Sequence, residues 1–186
     1  ETQALNSKPP ATQTPDKKQT NEKPSHQFWK EVTFTKGRGS AAYTVTRLEL
    51  NRLDFADWLY TEGFHLLPVS NDDGFQIVHS RDGIIKPVTP QKIKQYCLNW
   101  CKKNGLRDVN EMLRKGQKNY FAAGELDSLD YKEVSIKRDN ENETFFYFKN
   151  CWVSIDTKGN IKENSYGYTK DFIWESSKIN ADFHSV

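Results

Sequence analysis

The clearest periodicity in the chain is helical. Ile93, Tyr96, Cys97, Trp100 and Cys101 fall at i, i+3, i+4, i+7 and i+8, which places them on one face of a helix. Thr89 offers an N-cap, Pro90 suits the first helical position, and Asn104-Gly105 ends the segment. A second helix is expected over RLDFADWLYTEG, with Asn51 as its N-cap. Phe55, Trp58, Leu59 and Glu62 share one face, and Gly63 stands where a C′ glycine belongs. Asp108-Val109-Asn110-Glu111 has the form of a capping box with an acidic cap, starting a short helix through Met112 and Leu113. A further helical piece is expected around Tyr120 to Leu126.

Around these helices the pattern is extended. Tyr43, Val45, Arg47 and Glu49 predict a short strand over 43–49. Phe64 to Val69 reads as a strand that Pro68 confines to a sheet edge. Asn71-Asp72-Asp73-Gly74 reads as a turn, and Phe75 to Val78 returns. Arg81-Asp82-Gly83 turns again before Ile84, Ile85 and Val88, so the stretch forms a small meander. Beyond Tyr131, Val134 and Ile136, then Phe145 and Tyr147, alternate, and Cys151 to Ile155 follows. After a turn at Asp156-Thr157-Lys158-Gly159 come Tyr166, Tyr168, Phe172, Ile173 and Trp174. The fold class is therefore α+β, with small antiparallel sheets flanking a central group of helices. Trp152 and Trp174 are expected as core anchors rather than base-stacking platforms, and Asn150 as a turn or bulge residue bonding nearby backbone.

Composition changes this picture at one end. Residues 1–26 are rich in Pro, Thr, Lys, Gln and Asn and contain little apolar beyond Leu5. Such a stretch buries too little surface to offset its ordering entropy, so it reads as a flexible tether. Three parts follow: the tether 1–26, a helix/meander/helix region 27–126, and an aromatic-rich β region 127–186 leading into a further C-terminal part. Only 35% of the 186 residues are hydrophobic, yet 13% are aromatic, which excludes a uniformly disordered chain. The apolar runs are too short for a membrane span. The chain opens on polar residues without a secretory signal or an initiating Met, as a piece excised from something longer would. Cys97, Cys101 and Cys151 make an odd count that favours a reducing compartment, so a cytoplasmic location is expected.

Candidate chemistry is sparse. Lys36-Gly37-Arg38-Gly39-Ser40 lacks the spacing of a phosphate-binding loop and reads as a basic turn. Cys97 and Cys101 face one way on a helix, but zinc needs two more ligands. His26, His65, His79 and His184 are scattered along the chain, so packed thiols are expected and neither metal nor cofactor is. The carboxylate pairs Asp54/Asp57 and Asp127/Asp130 suit helix termini and solvated faces as well as acid–base work. No catalytic residue is expected.

Charge is distributed unevenly. Between residues 90 and 118, Lys92, Lys94, Lys102, Lys103, Arg107, Arg114, Lys115 and Lys118 face only Asp108 and Glu111. Residues 127–186 are net acidic, with eleven acids against eight bases. A basic helical face with its apolar stripe turned inward attracts phosphate backbones and releases their counterions. Those eight side chains are the DNA-contact candidates.

Several strings read together point to a family. Phe28-Trp29, LDFADWLYTEGF from Leu53 to Phe64, FFYFKNCWVSI from Phe145 to Ile155, then Tyr168, Phe172-Ile173-Trp174-Glu175, Ile179 and Asp182-Phe183 follow in order. The succession resembles the region upstream of the ATPase module in primase–helicases of phages and mobile elements, particularly of Bacteroidetes, whose motor is of the superfamily 3 type. The resemblance covers about residues 28–183. Cys151 stands where that family usually has Gly, and Ala181 near the usual position of a basic residue. It implies a non-catalytic DNA-binding or linker module in DNA replication. ATP hydrolysis would then belong to a helicase domain of the same parent chain beyond Val186, and homo-oligomers would form through the parent ring. The alternative is a protein-interaction or oligomerisation domain with no nucleic-acid contact.

Overall fold

The computed structural model describes residues 27–68, 74–167 and 170–184. The expected tether 1–26, Val69, Asn71, Asp72 and Asp73 of the first expected turn, and Tyr168 lie outside the described residues.

A hairpin comes first. β1 (Trp29–Lys36) pairs antiparallel with β2 (Tyr43–Leu50), Trp29 opposite Leu50 and Lys36 opposite Tyr43. The basic turn at 36–40 is part of the link between them. Only β2 is legible in the sequence. In β1 just Trp29, Val32 and Phe34 are half-buried and the rest is exposed, so its alternation is weak.

The backbone N–H of Asn51 donates to the Phe28 carbonyl at 3.0 Å, which ties the start of the hairpin to α1 (Arg52–Thr61). Asn51 occupies the N-cap position with extended backbone, but its side chain caps no amide and donates instead to Asp54 Oδ2 at 2.5 Å. Phe55, Trp58 and Leu59 are buried on the face the spacing requires. Gly63, with φ +94°, ends the helix and turns the chain into the sheet.

β3 (Phe64–Pro68), β4 (Phe75–Arg81) and β5 (Ile84–Pro87) form the antiparallel meander, and β3 lies at the sheet edge where Pro68 is tolerated. Asp82 and Gly83 both have positive φ, 52° and 75°, which makes the two-residue β4–β5 connection a type I′ turn.

In α2 (Pro90–Lys103), Thr89 Oγ1 accepts from the Lys92 amide, and Ile93, Cys97, Leu98 and Cys101 are buried. The capping box expected at Asp108 does not form. Leu106 and Arg107 fold back onto the α2 terminus, through Leu106 N–H to Cys101 O (2.9 Å) and Arg107 N–H to Gly105 O (3.0 Å). α3 (Arg107–Lys115) therefore starts two residues early. Leu106 takes the cap position without a side-chain bond, and Asp108 falls inside the first turn. Asn110 Nδ2 donates to the Leu98 carbonyl at 2.8 Å and locks α3 against α2. The last helical piece divides into α4 (Gln117–Tyr120) and α5 (Ala123–Leu126).

The remaining strands are β6 (Ser135–Ile136), β7 (Glu143–Tyr147), β8 (Trp152–Asp156), β9 (Ile161–Asn164) and β10 (Asp171–Trp174). β7, β8 and β9 make an antiparallel sheet. At its β8–β9 turn, Asp156 Oδ1 accepts from the amides of Lys158 (2.9 Å) and Asn160 (2.8 Å). β10 returns to the meander and inserts parallel between β5 and β6, giving the order β3-β4-β5-β10-β6. The α+β architecture thus holds, with one mixed sheet that draws strands from both sides of residue 126. Asn150 bonds distant rather than nearby backbone. Its amide brackets Phe183, donating to the carbonyl and accepting from the N–H, both at 2.9 Å.

Three apolar clusters hold these layers. The largest joins Phe28, α1, Phe64 and Leu66 of β3, and the inner faces of α2 and α3. A second, around Leu67, Val78 and Ile85, takes in Trp174. A third, Phe145, Tyr147 and Ile173, packs the three-stranded sheet onto β10 and half-buries Trp152.

Candidate nucleic-acid interface

Helix geometry decides how the eight cations distribute. Successive residues turn by about 100° around an α-helix, so side chains seven apart overlap in direction. Arg107 and Arg114 are such a pair on α3, opposite buried Val109, Met112 and Leu113. With Lys102 from the end of α2 they line one groove of about 400 Å³, whose floor includes Cys101, Leu106 and Asn110. Arg114 Nε donates to Asn110 Oδ1 at 2.8 Å, which holds its guanidinium along the groove. Glu111 also lines it, and that carboxyl is held below its usual range by the Lys115 ammonium at 2.6 Å.

The other five do not join this groove. Lys115 turns toward the hairpin, lining a separate groove of about 770 Å³ with Glu31, Arg47, Glu49, Asp108 and Glu111. Lys94 is half-buried and donates to Gln117 Oε1 at 3.3 Å. Lys92, Lys103 and Lys118 are exposed. On α2, Lys92 and Lys103 fall about 80–100° away from Lys102. The single expected face is therefore a three-residue groove with scattered cations around it. Among the described residues, no ion pair links any of the eight to the acidic C-terminal region; the ion pair they do make is Lys115 to Glu111.

The two helical thiols are packing. Cys97 and Cys101 are fully buried beside Ile93, and burial pushes both up, Cys101 to about 11. Cys151 is also buried and its thiol raised. Asp54, Asp57, Asp127 and Asp130 are all exposed. Among the described residues, no three His, Cys, Asp or Glu side chains gather as a metal site would need, and no helix is long and apolar enough to cross a membrane.

Two of the four histidines are neighbours, contrary to their scatter in sequence. His79 pairs with Phe64, and His65 with Val78, in the β3–β4 register. Burial lowers the pKa of both; nearby Lys132 and His79 add to this at His65, and Lys86 and Arg81 at His79. The unfolded chain, with His near 6.5, then binds more protons than the folded one below that pH. Stability is fully present above pH ~6.5 and is lost as pH falls from there toward the lowered folded values. Urea melts between pH 7.5 and 5.5 are expected to show this loss, with a shallower slope in His65→Gln/His79→Gln. An equal slope in that variant would assign the loss elsewhere.

No family model matches the chain, and neither does any curated protein or solved structure.

Proposed function

We propose that this chain is a non-catalytic polynucleotide-binding module that grips phosphate backbone in the α2–α3 groove. Its place would be in the cytoplasm, beside the motor of a replicative primase–helicase. The observation that carries this is the convergence of Lys102, Arg107 and Arg114 on one groove, with no ion-pair partner among the described residues. Cations left unpaired by their own protein are free to replace counterions along a strand. The resemblance of residues 28–183 to the segment preceding superfamily 3 motors supplies the replicative context. Backbone contacts of this kind position a strand and read no sequence, so binding is expected to be insensitive to base order.

The test is a salt series with single- and double-stranded DNA. Three phosphate contacts predict a slope of log K on log salt of about −2 to −3. Lys102→Glu/Arg107→Glu/Arg114→Glu is expected to cost about 100-fold in affinity at low salt, since each change removes an attraction and adds a repulsion to the phosphates. Lys92→Glu/Lys103→Glu should cost far less. Absent binding at low salt, or a slope near zero, would remove the proposal. It would leave the oligomerisation reading, which the triple variant should not affect.

A further inference from the structure

A second cavity, of about 500 Å³, lies where the end of α1, the β4–β5 turn and the start of β10 meet, and shares no lining residue with the helical groove. His65, Ser80, Arg81, Lys132, Lys170 and Phe172 line it. Three of the six are basic side chains drawn from three different parts of the chain. The acid at the rim, Asp82, lies 3.7 Å from Arg81 Nε, with both side chains at least 70% exposed, so solvent weakens their pairing. Lys132 is held by the aromatic wall, its ammonium 5.4 Å from the centre of the Phe172 ring.

The floor carries an unmet polar atom. His65 is 1% exposed, and its Nδ1 stands 3.2 Å from the Gly63 carbonyl and 3.4 Å from Ser80 Oγ. A carbonyl oxygen only accepts, so the Nδ1 nitrogen carries the hydrogen and Nε2 is left with its lone pair. Nε2 has no hydrogen-bond partner among the described residues. Nε2 itself has almost no open surface, so the His65 ring closes the floor and the basic side chains around it are what a ligand meets.

We propose that this cavity binds a phosphomonoester, with Arg81, Lys132 and Lys170 on the phosphate oxygens beside the His65 ring. The charge selects the class of anion. Three cations against Asp82 leave a net charge of two, which balances a terminal phosphate carrying about −1.5 to −2 at pH 7. A backbone phosphodiester carries one negative charge and would leave the cavity half-compensated. Two ligands share this chemistry, the 5′-phosphate end of a strand and a free nucleoside monophosphate. The inference is independent of the α2–α3 groove.

The experiment follows the His65 imidazole resonances of the full 186-residue chain by NMR, with affinity from calorimetry. The probes are thymidine, thymidine 5′-monophosphate, and an oligothymidylate with either a 5′-phosphate or a 5′-hydroxyl. Both phosphomonoester probes are expected to shift His65 saturably, whereas thymidine and the 5′-hydroxyl strand do not. Arg81→Met and Lys132→Met should each weaken binding about tenfold, the loss of one charge-assisted contact. Tighter binding of the phosphorylated strand than of the monophosphate assigns the site to strand ends, and equal binding assigns it to free nucleotide. The proposal is overturned if neither phosphomonoester saturates, if thymidine binds as well, or if the Arg81→Met/Lys132→Met chain binds undiminished. The Lys102→Glu/Arg107→Glu/Arg114→Glu chain should retain monophosphate binding, so the two sites fail or succeed separately.

Discussion

Trp58→Ala is expected to destabilise the fold by about 3–5 kcal/mol, the range for deleting a large aromatic side chain from a packed core. Trp58 is 2% exposed and sits at the centre of a ring cluster, with centroids 4.6 Å from Phe28, 4.9 Å from Trp100 and 5.8 Å from Phe55. These neighbours come from the chain preceding β1, from α1 and from α2, so the cavity would open where three segments meet and none can collapse alone. Trp58 Nε1 is buried without a partner among the described residues, so no hydrogen bond to them is lost with the side chain. Trp58→Phe keeps most of the volume and removes the unpaired N–H, so its cost should stay below ~1.5 kcal/mol. Urea denaturation of both variants separates the effects. Equal costs for Phe and Ala would show that something other than filled volume holds this position.

What the sequence makes legible follows from how local each determinant is. α2 is readable because Thr89, Pro90 and the spacing from Ile93 to Cys101 all lie within the helix they specify. The turn at 156–159 is readable for the same reason, since Asp156 bonds the amides two and four residues on. β1 is not, because its half-buried face becomes evident only opposite β2, and β9 is not, because Ile161 is 62% exposed and breaks the alternation. Nothing in the string Asp171–Trp174 tells that it enters parallel between strands some 35 and 90 residues away. The charge pattern was half legible. The i, i+7 spacing of Arg107 and Arg114 and the i, i+4 pairing of Glu111 with Lys115 are present in the sequence, but the diversion of Lys94 to Gln117 depends on how α4 packs. The cavity at His65 had no signal at all, since its cations come from β4, from the stretch after α5 and from the residue before β10.

Gly63→Ala is expected to cost about 3 kcal/mol or more, well above what its backbone conformation alone explains. With φ +94°, an L side chain here carries a left-handed penalty of about 1–2 kcal/mol. A Cβ would also lie 2.4 Å from the Ser80 carbonyl oxygen, a separation that forces backbone to move. Ser80 cannot withdraw freely, because its N–H donates to the Gly63 carbonyl at 2.9 Å and His79 Nε2 meets the Glu62 carbonyl at 3.1 Å. The crossing of the α1–β3 corner over β4 is thus fixed from both sides, and it also sets His65 into its place at the cavity floor. Gly105→Ala isolates the conformational part. Gly105 has φ +69° but nothing within 4 Å of an added Cβ, so its cost should be about 1 kcal/mol. The difference between the two variants in urea melts measures the close approach alone, and its loss should also shift the His65 imidazole resonances. Should Gly63→Ala prove no worse than Gly105→Ala, Ser80 would have room to yield, and the rigid corner on which the placement of His65 depends would not exist.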